Sequence, residues 1–526
     1  AVSPRVSGQN DPMLPRPEIQ RRRGAVSPTA AVGMLSVMSL VLVACGSGLA
    51  TGGTATGAEA VPTSTTGTTT TSRATPGSST TTSTSTSVPE GSSTSGQAQN
   101  DEALGIGDDY FPDTGNPGYD VTSYDLTFDV DDDLVSFDAV AKIALTTTET
   151  LDELHLDLDG LEVSKATIDG AEVPHRRAGL DLVLTPEEPL KAKAAVAVVV
   201  TYGGTPEPRG SEVLGGLGWI GTPGEGSYVV SEPDGASNWF PANDHPSDKA
   251  RFAFEITVPE GVEAVANGTR TGEETKGGRT TWTWSARDPM ATYLATVAIG
   301  QYTFFEGQGP GGLPLLSAVA DEVVEDEGKA GVEAVLGQLS QMVTVLSQRF
   351  GPYPFETYGA IVVGQPLGFA LETQTRSVFG SDLWGEPVVQ AHELAHQWYG
   401  DSVSLERWAD IWLNEGFATM GEWLWAEGTG GRGGPPLSSG SAFGPPLNPG
   451  PDDLFEPAVY QRGGLTLKAL RDAVGDAKFF QIMTTWAADH RLANATTDDF
   501  LALVEQVGGA QAKQLVNAWL TDPKPP

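Results

Sequence analysis

Alternation of apolar and polar side chains marks the first half of the folded part of this chain. Tyr124-Asp125-Leu126-Thr127-Phe128-Asp129-Val130 alternates, as do Leu154-His155-Leu156-Asp157-Leu158 and Thr281-Trp282-Thr283-Trp284. A period of two sends successive side chains to opposite faces of an extended backbone, so these segments predict strands with one buried face. The apolar run 195–200 is read as a further strand. After about Tyr302 the period changes. Across 332–350, Val335, Leu336, Leu339, Met342, Val343 and Leu346 recur at helical spacing, and helical patterns continue to Leu520. Segment 428–451 interrupts them with six prolines and is expected to be a non-helical loop. A domain boundary is placed near Gly300, giving a β domain over 105–300 and a mainly helical domain over 301–526. The acidic run Asp129-Val130-Asp131-Asp132-Asp133 lacks the glycine and the closing glutamate of a calcium loop, and reads as a solvated hairpin turn.

The first hundred residues follow neither pattern. Residues 1–45 hold five Arg and two acids, and Arg21, Arg22 and Arg23 precede an apolar stretch over 30–44 that ends in Leu42-Val43-Ala44-Cys45. A basic start, a short apolar centre and small residues at its end describe a secretory signal. Leu-Val-Ala-Cys resembles the bacterial lipobox, which implies lipidation of Cys45 and an extracytoplasmic position anchored to the bacterial cell membrane. A retained membrane helix is the alternative, although the apolar stretch is shorter than the roughly 20 residues a spanning helix needs. Met13 is expected to be the start, with 1–12 an artefact of the gene model. From 51 to 100, 27 of 50 residues are Ser or Thr. Too little apolar surface remains there to offset the entropy of ordering, so 46–104 is expected to be a disordered tether.

Composition then narrows the function. Beyond residue 100 there are 64 acidic and 25 basic residues, a net −39. Nucleic-acid binding is excluded as an expectation, because neutralising phosphates needs clustered Lys and Arg. The single cysteine rules out disulfide frameworks within the chain and cysteine-cluster zinc folds. Gly215-Gly216-Leu217-Gly218 and Gly463-Gly464 lack the Lys-Ser/Thr of a phosphate loop.

Candidate chemistry sits in the helical half. His392-Glu393-Leu394-Ala395-His396 is H-E-x-x-H, and the chain has only six histidines from which to build it. Residues four apart share a helix face, so both imidazoles can reach one metal while Glu393 faces a water beside it. Neutral imidazole suits Zn²⁺. A catalytic zinc needs a third protein ligand, and Glu415 in Trp412-Leu413-Asn414-Glu415-Gly416-Phe417-Ala418 is the candidate. A carboxylate on so apolar a segment is costly unless paired or metal-bound. His155, His175, His245 and His490 receive no role.

His392-Glu393-x-x-His396 with Glu415 after eighteen intervening residues, inside Asn-Glu-Gly-Phe-Ala, resembles the M1 zinc aminopeptidases of the gluzincin group. The likeness runs through Asp109-Tyr110-Phe111-Pro112, Trp239-Phe240-Pro241, Asp244-His245-Pro246-Ser247-Asp248-Lys249-Ala250, Asn267-Gly268 and Pro289-Met290-Ala291-Thr292-Tyr293-Leu294. It implies a multidomain α+β fold: an antiparallel, β-rich, saddle-like N-terminal domain, then a thermolysin-like, mainly helical zinc-peptidase domain. It further implies one Zn²⁺ per chain on His392, His396 and Glu415, with Glu393 as the base that activates the zinc-bound water. Tyr460, in Val459-Tyr460-Gln461-Arg462-Gly463, matches the tyrosine that stabilises the tetrahedral intermediate. Glu372 and Glu232 match positions that bind the free α-amine of a peptide.

Departures from the family pattern are Phe369, Leu371 and Thr373 around Glu372, which bear on the first side-chain pocket. The family's C-terminal helical domain is expected to be missing, leaving an open cleft. The function expected is release of N-terminal residues from peptides. Two alternatives stand beside it: a zinc metalloendopeptidase that accepts blocked N-termini, and an inactive peptide-binding scaffold.

Overall fold

The computed structural model describes residues 103–211 and 215–526. The expected signal, Cys45 and the tether as far as residue 102 lie outside the described residues; at the tether's expected end, Leu104 N donates to Asp181 Oδ2 at 2.9 Å. Strand β1 (Tyr119–Val130) buries Tyr119, Val121, Tyr124, Leu126, Phe128 and Val130 and turns Asp120, Asp125 and Asp129 outward. A register shift between Val121 and Ser123 keeps both ends of this long strand facing inward. The chain turns back through the acidic run into β2 (Phe137–Thr147), where the Arg279 side chain meets Asp129 and Asp132.

These strands belong to an eight-stranded sheet with the order Thr269–Lys276, Arg279–Met290, Ala250–Pro259, β1, β2, Ala195–Gly204, Glu162–Ile168, Ala171–Glu172. Every neighbouring pair is antiparallel except β1 with Ala250–Pro259. That parallel seam requires a long crossover, which the intervening strands provide. A four-stranded sheet of Glu263–Ala266, Val297–Gly300, Gly226–Val230 and Gly218–Thr222 contributes Trp219 to the same aromatic core. There Phe128 lies 5.8 Å from the rings of both Trp219 and Trp239.

Between Gly300 and Tyr302 the chain passes into a different, five-stranded sheet: Tyr302–Gln308, Pro314–Ala320, Ala360–Val362, Ser377–Phe379, Ala370–Leu371. The helical reading of the second half omits this sheet. Two of its strands are three residues long and wholly buried, so they carry no alternation to read. The single helix expected over 332–350 is two, Lys329–Leu336 and Leu339–Phe350, parted at Gly337, a residue of low helix propensity. Within the proline-rich loop, Leu437–Ala442 forms a short 3₁₀ helix.

Four longer helices build the rest of the site: α1 (Pro387–His396), α2 (Trp412–Gly428), α3 (Gly463–Val474) and α4 (Ala510–Thr521). Among the described residues, no helix is long and apolar enough to cross a membrane.

Candidate metal centre

Helix α1 starts on Pro387, whose missing N–H costs nothing in a first turn. It buries Ala391, Leu394 and Ala395 completely, which fixes its rotation about its axis. The His392 and His396 rings therefore leave the same face, with centroids 4.7 Å apart. Helix α2 crosses against it so closely that a Cβ on Gly421 would lie 2.4 Å from the Cβ of Ala395. This approach brings Glu415, in the first turn of α2, to the imidazole pair. Glu415 Oε2 lies 3.1 Å from His392 Nε2 and 3.5 Å from His396 Nε2.

The other nitrogen of each ring is already engaged. His392 Nδ1 is 2.7 Å from Glu422 Oε1, and His396 Nδ1 is 3.1 Å from the carbonyl oxygen of Tyr399. Such outer partners set the tautomer and aim both Nε2 atoms at a common point. Two imidazoles and one carboxylate, with ligand atoms all within 4.8 Å of one another, fit a divalent ion with the preferences of zinc and leave a coordination position open. Glu422 escapes notice in the sequence, yet it lies seven residues after Glu415, two turns along the same helix face. Glu422→Gln is expected to weaken zinc affinity roughly 10–100-fold, measured by competition with a chromogenic chelator. Unchanged affinity would remove Glu422 from this role.

Glu393 is 5% exposed. Among the protein groups alone, burial pushes its carboxyl up to about 8, with Glu372 and Glu415 raising it and the two imidazoles opposing. Burial would also raise Glu415, but His396 and His392 hold that carboxyl down at about 2.

Tyr460 sits on a π-helical turn, Ala458–Arg462, with its ring stacked 5.8 Å from that of His392. Two glycines allow this approach: a Cβ on Gly463 would come within 2.8 Å of Gly416 Cα. Arg462, fully buried, anchors the turn by donating from Nε to Trp519 O (2.8 Å) at the end of α4, and also to Phe443 O and Asp522 O.

Glu232 and Glu372 arrive from separate parts of the fold and converge with Glu415, their carboxylate oxygens also within 4.8 Å of one another. Among the described residues, Glu232 Oε1 and Glu372 Oε1 are buried and have no hydrogen-bond partner, with His396 Nδ1 4.0 Å from Glu372 Oε1. Burial raises both carboxyls, and for Glu232 the charges of Glu372, Glu415, Glu393 and Asp401 add to the rise. Gln397, directly after the second histidine, ties this end to α1. Its Nε2 donates to Glu372 O (3.0 Å), and its Oε1 accepts from Thr375 N (2.8 Å). Nothing in the local sequence marks Gln397 for this task. The altered positions near Glu372 are buried: Phe369, Leu371 and Thr373 are each at most 3% exposed.

The N-terminal sheets reach the site through Lys249, whose Nζ donates to Asp401 O (2.7 Å) and Ser402 O (3.1 Å) in the turn after α1. His245, assigned no role above, pairs with Asp108 (3.2 Å), which also accepts from Trp408 N (3.0 Å). His155 pairs with Asp181 at 2.8 Å.

Comparison with known proteins accords with this geometry. Residues 121–294 match the Peptidase M1 N-terminal domain and 339–434 the Peptidase family M1 domain. A substrate-bound mutant of an M1 zinc metallopeptidase from Deinococcus radiodurans superposes with a TM-score of 0.73 at 32% identity, covering 80% of this chain and 99% of that one. Aminopeptidase M1 of Arabidopsis thaliana is 26% identical over 55% of this chain. The probable aminopeptidase 2 of Sulfurisphaera tokodaii is 25% identical over 76%. The chain spans 36% and 53% of the lengths of these two curated relatives. With both domain models matched, and a solved relative covered almost end to end at 32% identity, the chain belongs to peptidase family M1.

Proposed function

We propose that the protein is a zinc-dependent aminopeptidase that hydrolyses the first peptide bond of peptides with a free N-terminus. The observation that carries this reading is the pair Glu232 and Glu372, whose buried, unpartnered oxygens close one end of the metal site. Two carboxylates there would accept hydrogen bonds from an α-ammonium. An acetylated N-terminus offers neither the charge nor the donors, and would leave both carboxylates buried without compensation. An α-amine held at that end would set which peptide bond lies beside Glu393 and Tyr460, so one residue would be released at a time.

When bound on His392, His396 and Glu415, zinc polarises the scissile carbonyl and lowers the pKa of a water to roughly 7. Glu393 takes the proton of the attacking water and delivers it to the departing amine nitrogen. Tyr460, stacked on His392, donates its hydroxyl to the oxygen that becomes negative as the carbonyl carbon turns tetrahedral. The π-helical turn and the Arg462 anchor hold that hydroxyl in place before reaction, so little reorganisation is needed.

Cleavage of one peptide in free and N-acetylated forms, before and after removal of the metal with 1,10-phenanthroline, tests the reading. The free peptide is expected to lose its N-terminal residue, the acetylated one to be cut at least about 100-fold more slowly, and chelation to stop both. Equal cleavage of the two forms would make the protein an endopeptidase. Cleavage that survives metal removal would overturn zinc catalysis.

A further inference from the structure

Six carboxylates crowd the site: Glu232, Glu372, Glu393, Asp401, Glu415 and Glu422, each at most 9% exposed. Buried charges persist only when compensated. A zinc ion and the Lys249 ammonium beside Asp401 would neutralise half of them. The shortfall lies at one end. Among the described residues, Glu232 Oε1, Glu372 Oε1 and both carboxylate oxygens of Asp401 are buried with no hydrogen-bond partner, and Glu372 Oε1 stands 4.0 Å from His396 Nδ1, whereas Glu422 and Glu415 approach His392 to 2.7 and 3.1 Å. Glu232, Glu372 and Glu415 also bring ligand atoms within 4.8 Å of one another; Glu415 belongs to the two-histidine set as well, so Glu232 and Glu372 are the carboxylates that this second grouping adds. The two groupings differ in donor type. Two nitrogens and a carboxylate suit zinc, whereas a wholly oxygen set suits hard cations.

We infer that the Glu232–Glu372 end binds a second, hard cation of the Ca²⁺ class when no peptide is present, and that the α-ammonium of a substrate displaces it. The displacement rests on the aminopeptidase reading; the cation site rests on the carboxylate geometry alone. Ion and ammonium cannot share the site, because both need the same two unpartnered oxygens. Peptide binding is therefore an exchange of cations, and free Ca²⁺ competes with substrate. The solvated acidic run at Asp129–Asp133 takes no part in the exchange, since Arg279 pairs there and no partnerless buried oxygen is present.

Calorimetric titration of CaCl₂ into the zinc-loaded full chain, in choline chloride, tests the inference. One Ca²⁺ site beyond zinc is expected. It should weaken about tenfold or more in Glu232→Gln and in Glu372→Gln, both checked for retained zinc, and stay unchanged in Asp132→Asn. Leucinamide should compete with Ca²⁺ and N-acetyl-leucinamide should not. In kinetics, Ca²⁺ should raise KM for a free-amine peptide and leave kcat unchanged. Heat indistinguishable between the native chain and the two Gln variants, or no site beyond zinc, would overturn the inference and leave protons as the compensating charge. Ca²⁺ binding without peptide cleavage would instead overturn the aminopeptidase reading while the cation site stood.

Discussion

Glu393→Gln is expected to lower kcat by about 10²–10⁴-fold while KM changes little and one zinc per chain is retained. Glutamine matches glutamate in volume and can still accept a hydrogen bond, so the packing around this 5% exposed side chain should survive. What it cannot do is take up a proton. His392, His396 and Glu415 are untouched, and their distances are set by the close α1–α2 crossing at Ala395 and Gly421. Zinc content measured by atomic absorption then separates loss of the base from loss of the metal. The pH profile supplies a second readout. With Glu393 as the proposed base, activity would require it to be ionised, so kcat/KM should rise with pH through the Glu393 pKa. Burial sets that pKa high, and His392 and His396, and a bound zinc ion with them, pull it down. The acidic limb should be absent in the Gln variant. Activity within tenfold of native, with zinc retained, would remove Glu393 from the chemistry.

How much of this arrangement could be read from the chain depends on where each constraint lies. The H-E-x-x-H segment is legible because one helix encodes the whole of its geometry: spacing alone places both rings on one face. Glu415 is legible at one remove, through the cost of a carboxylate on an apolar helix. Glu422 obeys the same periodicity and was available to the same reasoning. Glu232 and Glu372 are different. Each looks like any acid of an acidic protein, and only the resemblance to M1 enzymes selects them. Their convergence depends on the long-range meeting of two domains.

The fold divides in the same way. β1 announces itself because one face meets the core and the other meets water. Ala360–Val362 and Ser377–Phe379 are buried on both faces and too short to show any period. The parallel seam between β1 and Ala250–Pro259 is a matter of topology, on which local alternation is silent.

Arg376 is the clearest residue without a local signal, and its replacement by alanine is expected to cost roughly 3–5 kcal/mol of stability. Its guanidinium is fully buried, and among the described residues its hydrogen bonds go to backbone carbonyls. Nε donates to Ala266 O at 3.1 Å, Nη2 to Gly268 O at 2.6 Å, and Nη1 to Leu316 O. Its plane lies 5.0 Å from the ring of Trp284. Those acceptors belong to the N-terminal sheets and to the first long hairpin of the catalytic part, so one side chain satisfies carbonyls on both sides of the junction. Asn267 and Gly268 reinforce it, bonding to Gln374 O at 2.8 Å and Thr375 Oγ1 at 2.7 Å.

Truncation would strand three buried carbonyls and open a cavity beside Trp284. Urea unfolding should show a lower midpoint with an unchanged slope. Lysine keeps the charge but replaces a rigid fork by a single ammonium, and should recover only part of the loss. The loop held by this junction begins at Thr373, next to Glu372. A folded Arg376→Lys protein should therefore show a larger rise in KM for free-amine peptides than fall in kcat. A stability change below about 1 kcal/mol in Arg376→Ala would mean that the junction repairs itself, with water reaching the carbonyls. The same result would show that the N-terminal domain does not hold the Glu372 end of the site in place.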